Sequence, residues 1–206
     1  MLATNSYIIV PVEMDGAKVE KLEKNLKGEV IRTSIGGSRL IGVLAVANSN
    51  GILLPHYAHD DEVETIKSIV KVNVEKIISK RNALGNLILV NDYGALIDAE
   101  LMKERGVVKK IEDLLGVEVV GGEIAGLPYV GSLAVTTNKG VLTHPMLMEK
   151  ECELLRDVLK VPVGRGTINF GIPFVSSGLI ANEKGIAIGN LTTGPEMIII
   201  SNIFDQ

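Results

Sequence analysis

The feature that most limits how this chain can fold is an internal period. "VANSNGILLP" at residues 46–55 is followed by "LVNDYGALID" at 89–98 and "VTTNKGVLTH" at 135–144. Each has an apolar stretch, a polar turn ending on glycine, and a second apolar stretch. The turn glycines Gly51, Gly94, Gly140 and Gly185 are 43, 46 and 45 residues apart. Counting back 44 residues from Gly51 reaches Tyr7 in "ATNSYIIVP", where Pro11 answers Pro55. A second marker repeats independently: Val30, Val74, Val119 and Val163, at gaps of 44, 45 and 44. Two markers with one period divide the chain into five units, about 1–35, 36–79, 80–124, 125–168 and 169–206. One such unit cannot bury both faces of its own sheet, so the five are expected to share a single domain over residues 1–206.

Within a unit the order reads strand, turn, strand, helix, strand. Glycine suits the turn because it takes positive φ without steric cost. Asn48, Asn91 and Asn182 stand three residues before their glycines, where an Asn side chain can hydrogen-bond forward onto the turn. "GAKVEKLEKNLKG" puts Val19, Leu22 and Leu26 on one helical face and offers Gly28 as its C-cap. "DDEVETIKSIVK" offers Asp60 as N-cap, with Val63, Ile66 and Val70 as its stripe. "LMKERGVVKKIEDLLG" has Leu101, Val108, Ile111 and Leu115, with its first turn interrupted near Gly106. "EKECELLRDVLK" has Cys152, Leu155 and Leu159.

The end units depart from the pattern. In the first four, the turn residue precedes the marker valine by 23, 23, 25 and 23 residues; from Gly185 to Ile198 the distance is 13. The fifth unit is therefore predicted to lack its helix, with "PEMIIIS" as its last strand. Six residues before Tyr7 predict that the first unit lacks its opening strand. Both ends read as apolar strands that need partners, and a closed circle shelters such edges where an open solenoid does not. The expected fold is α/β: a closed five-repeat propeller, helices outside, about a pseudo-five-fold axis. Gly42, Gly85, Gly131 and Ser176 recur nine residues before each turn glycine, which predicts close backbone approach around that axis.

Composition narrows the chemistry. Net charge is −4 and aromatics are 3% with no Trp, which argues against a broad phosphate-gripping face or stacking on unpaired bases. A mildly acidic chain suits a basic protein partner. The lone Cys152 excludes an internal disulfide and fits a reducing compartment. No signal peptide and no apolar run of about 20 residues is present, so a cytoplasmic protein without a membrane span is expected. Cys152 lies on a helical stripe and reads as core, and His144 in "LTHPM" as a turn residue. "HYAHDD" at 56–61 lacks third and fourth ligands at metal-site spacing. "VGRGTINFGIP" opens no helix and carries no phosphate-loop Lys. No metal, cofactor or small-molecule substrate is expected.

"TSIGGSRLIGVLAVANSNGILLP", "NALGNLILVNDYGALI", "VGSLAVTTNKGVLTHP", "VGRGTINFG" and "TTGPE" together resemble the archaeal and eukaryotic translation initiation factor 6 family, in its archaeal, short-tailed form. The resemblance runs from Leu2 to the C-terminus. It implies the five-repeat pentein fold and a monomeric ribosome anti-association factor. Such a factor binds the large subunit near the sarcin–ricin loop, chiefly through ribosomal proteins. It thereby blocks the small subunit, and it takes part in large-subunit maturation. Family members usually begin with a further stretch containing the strand that opens the first unit, which this sequence does not show. On the partner-facing rim we expect Asn86, with Val43, Asn48 and Ser132 near it and Asn169 from the "TINFG" loop. The other reading is a guanidine-modifying pentein enzyme, an amidinotransferase or hydrolase; it requires Cys152 and a His in one pocket.

Overall fold

The structure, a computed structural model, describes residues 1–205 as a mixed α/β fold of five small sheets and peripheral helices. In the first sheet β1 (Leu2–Ala3) pairs antiparallel with β2 (Tyr7–Pro11), and β2 pairs parallel with β3 (Glu29–Thr33). The pattern recurs in β4 (Val46–Ala47), β5 (Gly51–Pro55) and β6 (Asn73–Ile77). It recurs again in β7 (Ile88–Val90), β8 (Gly94–Asp98) and β9 (Glu118–Gly122). The fourth sheet has β10 (Ala134–Thr136), β11 (Val141–Thr143) and β12 (Val163–Arg165). The fifth has only β13 (Leu179–Asn182) and β14 (Gly185–Ile188), joined antiparallel.

Two parallel strands need a crossover, and a helix supplies it each time. These crossovers are α1 (Gly16–Leu26), α3 (Asp60–Ile69), α5 (Arg105–Leu115) and α7 (Glu149–Leu159). Each buries most of its predicted stripe and turns a charged face outward, but Val70 is half-buried as the C-cap of α3 and Leu101 lies in a separate 3₁₀ turn, Leu101–Lys103, before α5. A short helical segment precedes each opening strand from the second sheet on: α2 (Ile41–Leu44), α4 (Leu84–Leu87), α6 (Val130–Leu133) and a 3₁₀ turn at Val175–Ser177.

The helices knit neighbouring sheets together. α3 lies on β3, α5 on β5 and β6, and α7 on β8 and β9. α8 (Gly194–Phe204) lies on β11 and β12, and α1 lies on β14, so the last sheet meets the first helix. β1 also contacts β13.

Several expectations need correction. The segment read as a final strand, "PEMIIIS", lies in α8, so the fifth sheet keeps its helix and lacks its third strand. The reason is local. Glu196 accepts hydrogen bonds from the Thr193 N–H at 2.8 Å and its Oγ1 at 2.9 Å, and Pro195 sits in the first turn. Ile200, Ile203 and Phe204 then bury against the fourth sheet. The first sheet does have an opening strand, as short as β4. The cap of α1 is Lys27 at φ +50°, not Gly28, and that of α3 is His59, not Asp60.

The turn glycines are not at positive φ. What they provide is room. A Cβ on Gly51 would lie 2.7 Å from the Leu114 carbonyl oxygen, on Gly94 2.1 Å from that of Val158, and on Gly140 2.5 Å from that of Ile203. On Gly185 it would lie 2.1 Å from the carbonyl of Asn25 in α1. Each of these four hairpins is thus pressed against the end of a helix from the following unit, α5, α7, α8 and, for the fifth, α1.

Three buried glutamates act as clasps that the sequence reading did not single out. Glu62, Glu151 and Glu196 each hold the third position of a helix and bond the loop after the preceding sheet. Glu62 takes the N–H groups of Gly36 and Gly37, and Glu151 those of Ala125 and Gly126. Glu196 takes those of Phe170 and Gly171 and the Thr167 hydroxyl. These loops hold Ala125, Asn169 and Phe170 in left-handed backbone, which the carboxylates help to enforce. The spacing was available: Glu62 to Glu151 is two periods, and Glu151 to Glu196 one.

Burial pushes the Glu196 carboxyl up, but its hydrogen bonds outweigh this and hold it at about 2, against 4.5 ordinarily. The folded value is depressed. Its stabilisation is therefore complete above pH ~4.5 and is lost as pH falls towards ~2. Glu196→Gln is expected to cost about 1–3 kcal/mol at neutral pH. It should also flatten stability against pH across that window, as measured by denaturant unfolding. Gly106, inside α5, faces open space and has no positive φ. Gly106→Ala should stabilise the chain by about 0.5–1 kcal/mol in the same assay.

Candidate partner-binding face

A cavity of about 620 Å³ is lined by the opening strands of all five sheets, through Ala3, Ala47, Val90, Thr136 and Ala181. Its mouth is built by the short helical segments. They pack in series because the second residue of α2, α4 and α6 is a glycine: a Cβ on Gly85 would meet the Gly42 oxygen at 2.1 Å, and on Gly131 the Gly85 oxygen at 2.1 Å. At the next step Ser176 instead donates its hydroxyl to the Ser132 carbonyl at 3.0 Å. This is the close approach the recurring small residues predicted. The residue after each small one, Val43, Asn86, Ser132 or Ser177, lines the mouth.

The other end of the same five strands is closed by a second, polar cavity of about 50 Å³, lined by Thr4, Asn48, Asn91, Thr137 and Asn182. The asparagines do two jobs. Asn48 Oδ1 accepts from the Asn50 and Gly51 N–H groups, while Nδ2 donates to the carbonyls of Asn91 and Leu115. Asn91 repeats this towards Thr137 and Leu159. Asn182 repeats it towards Thr4 at 2.9 Å and Leu26 at 2.7 Å, joining the fifth sheet to the first. Outside them runs a polar rim. Asp92 bonds Ser49 and Asn138, Asn138 bonds Glu183, and the Glu183 N–H donates to Asn5.

The expected site residues therefore separate. Val43, Asn86 and Ser132 come together at the wide mouth. Asn48 does not join them: it is 4% exposed, at the opposite end, with its amide spent on backbone. Asn169 sits beside the mouth, its N–H on Thr192 Oγ1, and lines a separate groove along β14 that shares Ser176 and Ser177 with the cavity. Arg39 and Phe174, which the sequence reading passed over, also line the mouth. Their signal was positional: each precedes a small-residue turn by two or three residues.

Other groups are engaged elsewhere. Cys152 is buried in α7 among Leu155, Leu159 and Ile124, outside the cavity wall. His144 accepts from the Met146 N–H and lies edge-on to Phe174. Asp60 pairs with Lys76. The cysteine and imidazole that a guanidine-modifying enzyme would need do not share the cavity. Among the described residues no helix is long and apolar enough to cross a membrane.

The eIF-6 family model matches residues 1–203. Translation initiation factor 6 of Methanocaldococcus jannaschii is 47% identical over 207 residues, covering 98% of this chain and 90% of the relative. The factors of Pyrococcus abyssi and Pyrococcus horikoshii are 45% and 43% identical, each covering 97% of this chain and 89% of the relative. With five like sheets in sequence and matches of this depth along nearly its whole length, the chain belongs to the eIF-6 family.

Proposed function

We propose that this chain binds the large ribosomal subunit and prevents the small subunit from joining it. In this reading the five sheets form one domain of five repeats, closed as a pentein ring. The docking site lies near the sarcin–ricin loop and is made chiefly by ribosomal proteins. The chain acts as a soluble cytoplasmic monomer and takes part in large-subunit maturation. Family membership supports a ribosome-related role, and the relatives carry the name translation initiation factor.

The single observation that carries the docking surface is the chemistry of the wide mouth. Val43, Asn86, Ser132 and Ser177 hold like positions yet differ in kind. A repeated scaffold with unlike residues at one rim suits a single asymmetric partner. Exclusion needs no catalytic group, only affinity and bulk. A standard protein interface buries ~1,600 Å², within reach of one face of such a ring.

Sucrose-gradient sedimentation tests this. Subunits mixed with excess protein should remain separate, and the protein should travel with the large-subunit peak. Normal joining with no protein in that peak would refute the proposal.

A further inference from the structure

The wide cavity has walls of Val46, Ile88, Leu179 and Ala134, and its mouth carries one charged side chain, Arg39. No Asp or Glu lines it. Arg39 is exposed and, with the Asn86 amide, has no side-chain hydrogen bond or ion pair among the described residues. What sets Arg39 apart from Arg105 and Arg156, which are equally unpaired among the described residues, is its place at this cavity. The carboxylates Asp92 and Glu183 sit at the opposite end, bonded to their neighbours.

We propose that Arg39 and Asn86 receive a carboxylate of a protein partner, whose neighbouring apolar side chain enters the cavity. This rests on the reading that the wide mouth faces the large subunit. A guanidinium meets a carboxylate through two parallel hydrogen bonds, and an amide beside it adds a further donor. An enclosure of about 620 Å³ with apolar walls and a few polar groups at its entrance has the character of a recognition pocket. An RNA strand fits less well. Phosphate recognition draws on several cations, and base recognition on stacking surfaces. The cavity's lining side chains include one cation, Arg39, and one aromatic ring, Phe174, with the Met1 ammonium close to Gly42. An arginine and an aromatic lining one concave site are also the composition of a protein–protein hot spot.

The test uses purified large subunits and four variants: Arg39→Gln, Arg39→Lys, Ser177→Trp to crowd the mouth, and Lys24→Gln on the outer face of α1 as control. Each is first checked for unchanged thermal unfolding. Arg39→Gln and Ser177→Trp should weaken co-sedimentation at least ten-fold, Arg39→Lys less, and Lys24→Gln not at all. Wild-type binding should fall only shallowly with salt, as a single ion pair requires. Wild-type affinity for subunits with no loss in Arg39→Gln and Ser177→Trp would overturn the inference and leave the proposed function standing. Competition by free large-subunit RNA that depends on Arg39 would overturn the assignment to a protein. Absence of wild-type binding would sink the proposed function itself.

Discussion

Gly85→Ala is expected to destabilise the chain by about 3 kcal/mol or more, and to weaken large-subunit binding with it. The added Cβ would stand 2.1 Å from the Gly42 oxygen and 2.9 Å from the Ala45 oxygen. Both are backbone atoms, so no side chain can swing away. Nor can α4 retreat, because Gly131 presses on its far side, 2.1 Å from the Gly85 oxygen by the same measure. Relief must come from spreading α2, α4 and α6 apart, which opens the core beneath Ile41, Leu84 and Val130. For a chain of this size the loss corresponds to a fall in Tm of about 6–12 °C. Asn86 is the next residue, so the mouth is displaced too. A thermal scan beside Gly106→Ala, expected to shift the other way, reads the effect. An unchanged Tm in Gly85→Ala would show that the helical turns do not meet as described.

Asn182→Leu should cost about 3–5 kcal/mol, by leaving buried polar groups without partners. Leucine has similar bulk but cannot hold the Lys184 and Gly185 N–H groups or reach the Thr4 and Leu26 carbonyls. Asn48→Leu makes the same change between the second and third sheets. If the proposed ring is closed in solution, the two should cost alike in denaturant unfolding. If the first and fifth sheets part, Asn182→Leu would lose only its own turn and cost about 1 kcal/mol. A large difference between the two would therefore argue against closure.

Much of this was legible because repetition gives each inference several independent readings. The small residues at 42, 85, 131 and 176 announce a crowded inner layer. The period located four of the five hairpins and all four crossover helices, and missed the opening strand of the first sheet. The misreadings have physical causes. Apolar runs do not declare their period: "MIIIS" satisfies a strand pattern, and the cap in "TGPE" decides for helix. The turn glycines were assigned to local conformation, whereas their reason lies across the joint, in the carbonyl of a helix from another unit. The turn role of Asn48 is legible locally, but its burial is not. Its second job, donating to Leu115 far along the chain, is a tertiary fact that no local window holds. The mouth was half legible. Asn86 and Ser132 follow from equivalence to the glycines, but Arg39 came forward only once the cavity showed it unaccompanied.

The most direct test is a density map of this protein mixed with purified large subunits. It should show one copy on the surface that the small subunit would cover, with Arg39 and Asn86 turned towards the subunit and α1, α3, α5, α7 and α8 around the outside. Subunits that carry no added density, or a bound copy that presents its Asp92–Glu183 end instead, would contradict the account.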